Sequence, residues 1–190
     1  MKKILTGIAS LMFSSFLIAE LSYTNIGIGH RFSDGDVIDI SGINLNGAIA
    51  LSDSMFLLGS YTYGEDDDAP IDVTEVHFGL GIHAPMSEVT DFVASFEIID
   101  RGIETQGQND DLSGFLFGLG VRSQFSDTAE IQAKVSRVDA HVETLGVSIG
   151  VSDTIFSLGI LFDVFDIFQF STEFSVGDVD TLDLGFRINL

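Results

Sequence analysis

The chain has no cysteine and no tryptophan, two prolines in 190 residues, and only eight lysines and arginines against 29 aspartates and glutamates. Each shortage excludes something. Without cysteine no disulfide can hold the fold, so backbone pairing and packing must do so. A formal net charge of −21 repels polyanions, which argues against nucleic acid and anionic membrane surfaces as partners. Beyond residue 18 no apolar run approaches the ~20 residues of a spanning helix, yet the mean hydropathy is +0.36. High apolar content, strong acidity and short apolar runs coexist when apolar and polar residues alternate finely. The 20 glycines and 17 phenylalanines suit strands better than helices.

At the start, Met1-Lys2-Lys3 precede an apolar run of 15 residues, Ile4 to Ile18, and then Ala19-Glu20. A basic start, an apolar centre and a small residue before a charge predict a secretory signal peptide over residues 1–19. No cysteine lies nearby to carry a lipid anchor. Residues 20–190 then form one exported domain, and removal of the signal takes two of the eight basic residues with it.

Alternation with period two dominates the rest. Thr74, Val76, Phe78, Leu80, Ile82 and Ala84 share one face, with Glu75, His77, Gly79, Gly81 and His83 on the other. Phe92, Ala94, Phe96 and Ile98 oppose Ser95, Glu97 and Ile99, while Phe115, Phe117, Leu119 and Val121 oppose Gly118, Gly120, Arg122 and Gln124. Leu182, Leu184, Phe186, Ile188 and Leu190 oppose Asp183, Gly185, Arg187 and Asn189. A soluble sandwich and a transmembrane barrel both produce such patterns. The glycines decide between them: Gly27, Gly29, Gly79, Gly81, Gly118 and Gly120 lie on the polar face, where a soluble surface would carry Thr, Lys or Glu. A narrow lumen instead needs small residues beside long charged ones. Lysine, the usual guard of soluble edge strands, is also scarce.

The expected fold is therefore all-β, a single antiparallel up-and-down transmembrane β-barrel occupying residues 20–190. Alternating segments begin near Leu21, Val37, Met55, Val73, Asp91, Gly114, Ala129, His141, Ile155, Ile167 and Thr181, eleven in all. A single-chain outer-membrane barrel has an even number, so two neighbours must merge. A long strand over 129–151, an outer turn at Ser152-Asp153-Thr154 and an inner one at Val164 to Asp166 predict about ten strands, with eight or twelve as alternatives. Short turns are expected at Ser52 to Ser54 and Ser126 to Thr128, and a longer one over Ala84 to Asp91. Acidic outer loops are expected over Gly64 to Asp72 and Gly102 to Ser113, with a compact one at Gly177 to Thr181.

The terminal run Gly185-Phe186-Arg187-Ile188-Asn189-Leu190 resembles the signal read by the outer-membrane assembly machinery, carried by Gly185, Phe186, Ile188 and Leu190. Together with "LSDSMFLLGSYTYGEDDD", "GFLFGLGVRSQFSDTAEIQAKVSRVD" and "DTLDLGFRINL", it is similar to small porin-like outer-membrane β-barrel proteins of Gram-negative bacteria. The resemblance implies export through the periplasm, residence in the cell outer membrane, and contact with the assembly machinery, outer-membrane lipid and lipopolysaccharide.

The charged and histidine residues expected to line the lumen are Arg31, Glu75, His77, His83, Glu97, Arg101, Arg122, Glu130, Lys134, Glu173, Asp183 and Arg187. In a narrow tube these must pair or meet water, either as an ionic plug or as a hydrated path favouring cations. Eight strands are just filled by side chains and sixteen leave a channel, so a general diffusion pore is not expected. Catalysis is not expected either, and no pattern requires a cofactor or a bound metal. None of His30, His77, His83 and His141 is followed by serine, as a lipid A deacylase would need; Asp139 and His141 are the nearest approach to a rim couple. The acidic stretches Glu65 to Asp68 and Asp110-Asp111, with Asp178 and Asp180, suit divalent cations, including cations bridging to lipopolysaccharide phosphates. The expected function is a structural or narrow porin-like barrel. A surface adhesin acting through the acidic loops is one alternative, and a lipid A-modifying enzyme another.

Overall fold

A computed structural model describes residues 21–35, 39–66, 69–105, 108–144, 147–165 and 167–190. The expected signal peptide lies outside them. Ten strands follow in chain order: β1 (Asn25–Gly35), β2 (Asp39–Ser52), β3 (Met55–Asp66), β4 (Ile71–Ser87), β5 (Thr90–Thr105), β6 (Gln108–Ser126), β7 (Ala129–Thr144), β8 (Val147–Phe165), β9 (Phe168–Val176) and β10 (Val179–Asn189). Each pairs antiparallel with its neighbours in sequence, and β1 closes on β10 from Asn25↔Asn189 to Gly35↔Val179. Closure removes the two edges that an open sheet would leave unpaired.

The inside and outside follow from alternation. On β6 the outward residues Phe115, Phe117, Val121 and Phe125 are 54, 49, 41 and 44% exposed, whereas Leu116, Arg122 and Gln124, pointing inward, are buried. Phe125 to Phe115 spans roughly 33 Å along the strand at ~3.3 Å per residue. Tilted by about 40°, that makes an apolar band about 25 Å tall, the height of a hydrocarbon layer. Glycine lets large residues fit inside: a Cβ on Gly81 would lie 2.1 Å from the Phe56 ring, and one on Gly118 would lie 2.8 Å from Ser95 Oγ.

The proximal end, where residues 21–24 and Leu190 lie, is closed by turns at 53–54, 88–89 and 127–128 and by the link from β8 to β9. Each sits beside an irregularity in register, at Ala50/Ser52, Pro85/Ser87, Gln124/Ser126 and Asp163/Phe165. In three of them a serine hydroxyl accepts the amide two residues on: Ser52 from Ser54, Ser87 from Val89 and Ser126 from Thr128, at 3.3–3.4 Å. Local serine–backbone bonding of this kind explains why short Ser-Asp stretches end the strands.

Two expectations are corrected at the distal end. Ser152 to Thr154 is not a turn. It lies inside β8, paired with Asp139, Val138 and Arg137 of β7, so β7 ends at Thr144 and the segments beginning near His141 and Ile155 are redistributed between β7 and β8. The parity is the same for either choice, which is why alternation could not separate them. Nor are Gly64 to Asp72 and Gly102 to Ser113 long loops. Ladder pairs reach Glu65↔Asp72 and Thr105↔Gln108, leaving only residues 67–70 and 106–107 between strands. The described acidic residues there, Glu65, Asp66, Asp72, Glu104, Asp110 and Asp111, sit on a hairpin wall.

That wall makes the barrel lopsided. β4 to β8 have 16–19 residues each, whereas β9, β10 and β1 have 9–11. Where it projects beyond the short side, polarity reverses. The inward positions carry Val73, Ile99, Ile103, Leu112, Val138, Ala140 and Ile149, and the outward positions carry Asp100, Glu104, Asp111, Ser113, Asp139 and Ser152.

Candidate functional site

The twelve residues named from sequence as lumen-lining all occupy inward positions of the strand ladders, and the structure gathers most of them into two layers. The distal layer is centred on Glu75, only 5% exposed. Arg31 Nη1 lies 3.2 Å from its Oε1, His77 Nε2 lies 3.0 Å from the same oxygen, and Arg101 contacts Oε2. Arg31 also grips Asp183, Nε donating to Oδ1 and Nη2 to Oδ2, both at 2.9 Å, with a longer Nε–Oδ2 contact of 3.2 Å. His77 Nδ1 is 3.4 Å from Glu97, which in turn accepts the Ser95 hydroxyl at 3.0 Å. Two arginines thus face three carboxylates, with one histidine between two of them. The bidentate fork fixes Arg31 across the β1–β10 closure.

The proximal layer is built on Glu130. Arg122 Nη2 lies 2.6 Å from Glu130 Oε2 and its Nε donates to the same oxygen at 2.8 Å, while Arg187 Nη2 is 3.8 Å from Oε1. Arg187 Nε donates to Gln169 Oε1 at 2.8 Å, and Gln169 Nε2 donates to Asp163 at 2.7 Å. Each charge in this confined space has a partner, which is the condition for keeping it there.

Below this layer the chain folds back into its own mouth. Tyr23, 8% exposed, donates its hydroxyl to Asp91 Oδ2 at 2.8 Å and stacks on the His83 ring at 3.9 Å and 12°. His83 Nδ1 is 3.1 Å from the same Asp91 oxygen. Phe56 packs against Tyr23 at 5.0 Å, and the Arg122 guanidinium sits over the ring at 4.9 Å, a cation–π arrangement, with Nη1 donating to the Ser22 carbonyl at 2.7 Å. Tyr23 is a stopper held from four sides. Sequence reasoning missed it although Tyr23 falls in the segment expected from near Leu21 and shares the parity of Gly27, Gly29 and Arg31, because only charged and histidine residues of that face were singled out. Asp91, Gln132 and Gln169 were missed too, although each shares the parity of charged lumen residues on its own strand, a signal open to reading.

Between the layers lies a cavity of ≈ 200 Å³, lined among others by Lys134, Glu97, Glu173, Gln132, Ser95 and Ser157. Gln132 Nε2 donates to Glu173 at 2.7 Å. Apolar side chains such as Phe56 and Leu58 make up much of the remaining wall, so polar groups are points on a largely apolar chamber.

The remaining candidates lie elsewhere. His30 points outward beside Phe32, ring centroids 4.5 Å apart. Asp139 and His141 occupy outward positions of the projecting wall, where Asp139 sits 3.6 Å from Arg137, both exposed. They therefore do not face the lumen and do not form a rim couple aimed at it. Among the described residues no group of three or more histidines, aspartates and glutamates is placed to hold a metal. Of the acidic stretches, Asp67 and Asp68 lie outside the described residues.

No protein-family model matches the sequence, and no curated protein matches it. Solved structures resemble the fold. The translocator domain of the autotransporter NalP from Neisseria meningitidis has a TM-score of 0.51 at 8% identity, over 100% of this chain and 94% of that one. The KdgM porin has a TM-score of 0.48 at 10% identity, over 87% and 99%. Identities this low speak to architecture alone, a barrel of the outer-membrane type, which in this chain closes with ten antiparallel strands.

Proposed function

We propose that this protein resides in a bacterial outer membrane as a non-enzymatic barrel of structural or narrow-channel character. The observation that carries the reading is the lumen: among the described residues, two ionic layers and a tyrosine stopper leave a small chamber between them, inside a wall whose outer face is apolar. Such a lumen passes water or small cations at most, because side chains fill most of its bore and, among the described inward residues, carboxylates outnumber arginines and lysine. The reading includes export by the amino-terminal signal and insertion by the assembly machinery through Gly185, Phe186, Ile188 and Leu190. It also places lipopolysaccharide around the wall, with divalent cations bridging its phosphates to the acidic distal residues. These parts rest on the sequence pattern and on the apolar band.

Planar-bilayer recording at high salt tests it. The intact barrel should give either silence or small, cation-selective steps, and Tyr23→Ala should enlarge them by unblocking the proximal mouth. Large, unselective steps from the unmodified protein would refute the narrow lumen. A second reading, surface recognition, is favoured by one feature: the wall that projects on β4 to β8, with Asp100, Glu104, Asp111 and Asp139 on its outer face. A binding partner that is lost on neutralising these four residues, with conductance unaltered, would favour it over the channel.

A further inference from the structure

β8 outruns its neighbour. Its ladder with β7 extends from Thr144↔Val147 to Ala129↔Phe162, whereas its ladder with β9 begins only at Phe156↔Val176, because the chain turns back at 177–178. Residues 147–155 therefore pair with β7 on one side and, among the described residues, face no strand on the other. Only the base of this edge is tied down, by the Asp178 amide donating to Asp153 Oδ2 at 3.1 Å. The edge reads Val147-Ser148-Ile149-Gly150-Val151-Ser152. It has no proline, no lysine, no charge and no bulge, the devices by which sheet proteins keep edges from pairing. Ile149 and Val151 stand 52 and 40% exposed on the inner face of the wall, opposite Val142 and Ala140 of β7.

We propose that this edge of β8 is a docking site for an extended, basic segment of a partner protein, which adds as one more strand beside residues 147–152. Unpaired backbone donors and acceptors supply the ladder. Ile149 and Val151 set its register, since a slip of one residue would turn the partner's apolar side chains away from them. Charge chooses the occupant. Among the described residues, Asp139, Asp153, Asp178 and Asp180 lie around the edge, with Arg137 for the other sign and His141 opposite Gly150, and a second copy would bring −21 against −21. A cationic strand is complementary where another copy is not. The inference goes beyond channel character and shares with it only the placing of the distal end in water.

Fluorescence anisotropy tests it, with the full barrel in phosphatidylcholine nanodiscs. The probe is a labelled synthetic heptapeptide alternating lysine and valine. It should bind saturably, and its glutamate–valine counterpart should not. Methylating alternate peptide nitrogens, which removes the ladder donors but keeps the charge, should weaken binding about tenfold or more. The double variant Ile149→Lys, Val151→Lys should do the same while its heat-modifiable gel migration stays that of the parent. Absence of binding, equal affinity for the methylated peptide, or an unaffected double variant each overturn the proposal. A barrel dimer that the double variant dissolves would overturn it as well, by giving the edge to a second copy.

Discussion

The strands of the tall wall pass through two environments without changing their alternation. On β7, Ile131 and Val135 face out of the barrel and Glu130 and Ser136 face in; farther along the same strand, Arg137, Asp139 and His141 face out while Val138 and Ala140 face in. The phase is constant and the polarity reverses. A strand only delivers side chains to two sides, and the solvent on each side selects what they are. Where lipid lies outside and charge fills the lumen, the outside is apolar. Where water surrounds the wall, the outside is polar and the concave side carries Val138, Ala140, Ile149 and Val151, with Ala140 only 2% exposed. The reversal therefore marks the level at which the hydrocarbon ends.

That comparison can be broken along single strands. The largest effect is expected in the lumen. Glu130→Ala leaves Arg122 and Arg187 without their shared carboxylate, and losing one partner of a buried pair costs about 3–5 kcal/mol. Equilibrium urea unfolding in lipid vesicles measures it, and a loss below ~1 kcal/mol would mean that water already solvates the pair. Next comes the lipid face of β6: Leu119→Arg, near mid-band, should cost about 2–4 kcal/mol, whereas Ser113→Arg, six residues on and facing the same way, should change stability by no more than ~0.5 kcal/mol. Equal costs at the two sites would move the membrane boundary above Ser113. A smaller change is expected from Tyr23→Phe, which removes the hydroxyl bonded to Asp91 but keeps the ring stack, for roughly 1 kcal/mol. The smallest belongs to the exposed Arg137–Asp139 pair: Asp139→Ala should cost less than ~0.5 kcal/mol and less still in high salt. A large salt-insensitive loss there would mean that the outer face of the wall is covered.

How much was readable follows the same division. Alternation put Glu75, His77, Glu97 and Arg122 on one face and Phe78, Phe96 and Phe117 on the other without any coordinates, and the ladders place them so. Partners were not readable. Arg31 meets Glu75 and Asp183, 44 and 152 positions away in sequence, and such distances are set by closure and register. The misplaced turn at Ser152 to Thr154 has a related cause. Polar residues at the end of a hydrophobic stretch signal a turn when water is assumed only beyond the strand, but here the strand itself continues into water.

The sequence alone determined that this chain forms a membrane-type barrel, because period-two polarity with inward glycine and charge admits few other ways to satisfy both side chains and backbone. It also put the charged residues on one face of each strand and marked the turns at Ser52 to Ser54 and Ser126 to Thr128, which depend on near neighbours, whereas the turn expected over Ala84 to Asp91 is confined to 88–89 by the pairs Pro85↔Asp91 and Ser87↔Thr90. The tertiary structure alone decided which charges share a layer, that Tyr23 stops the mouth, and that β8 ends in an open edge. Those outcomes depend on strand register and on unequal strand lengths around a closed ring, and no local pattern in the chain encodes either.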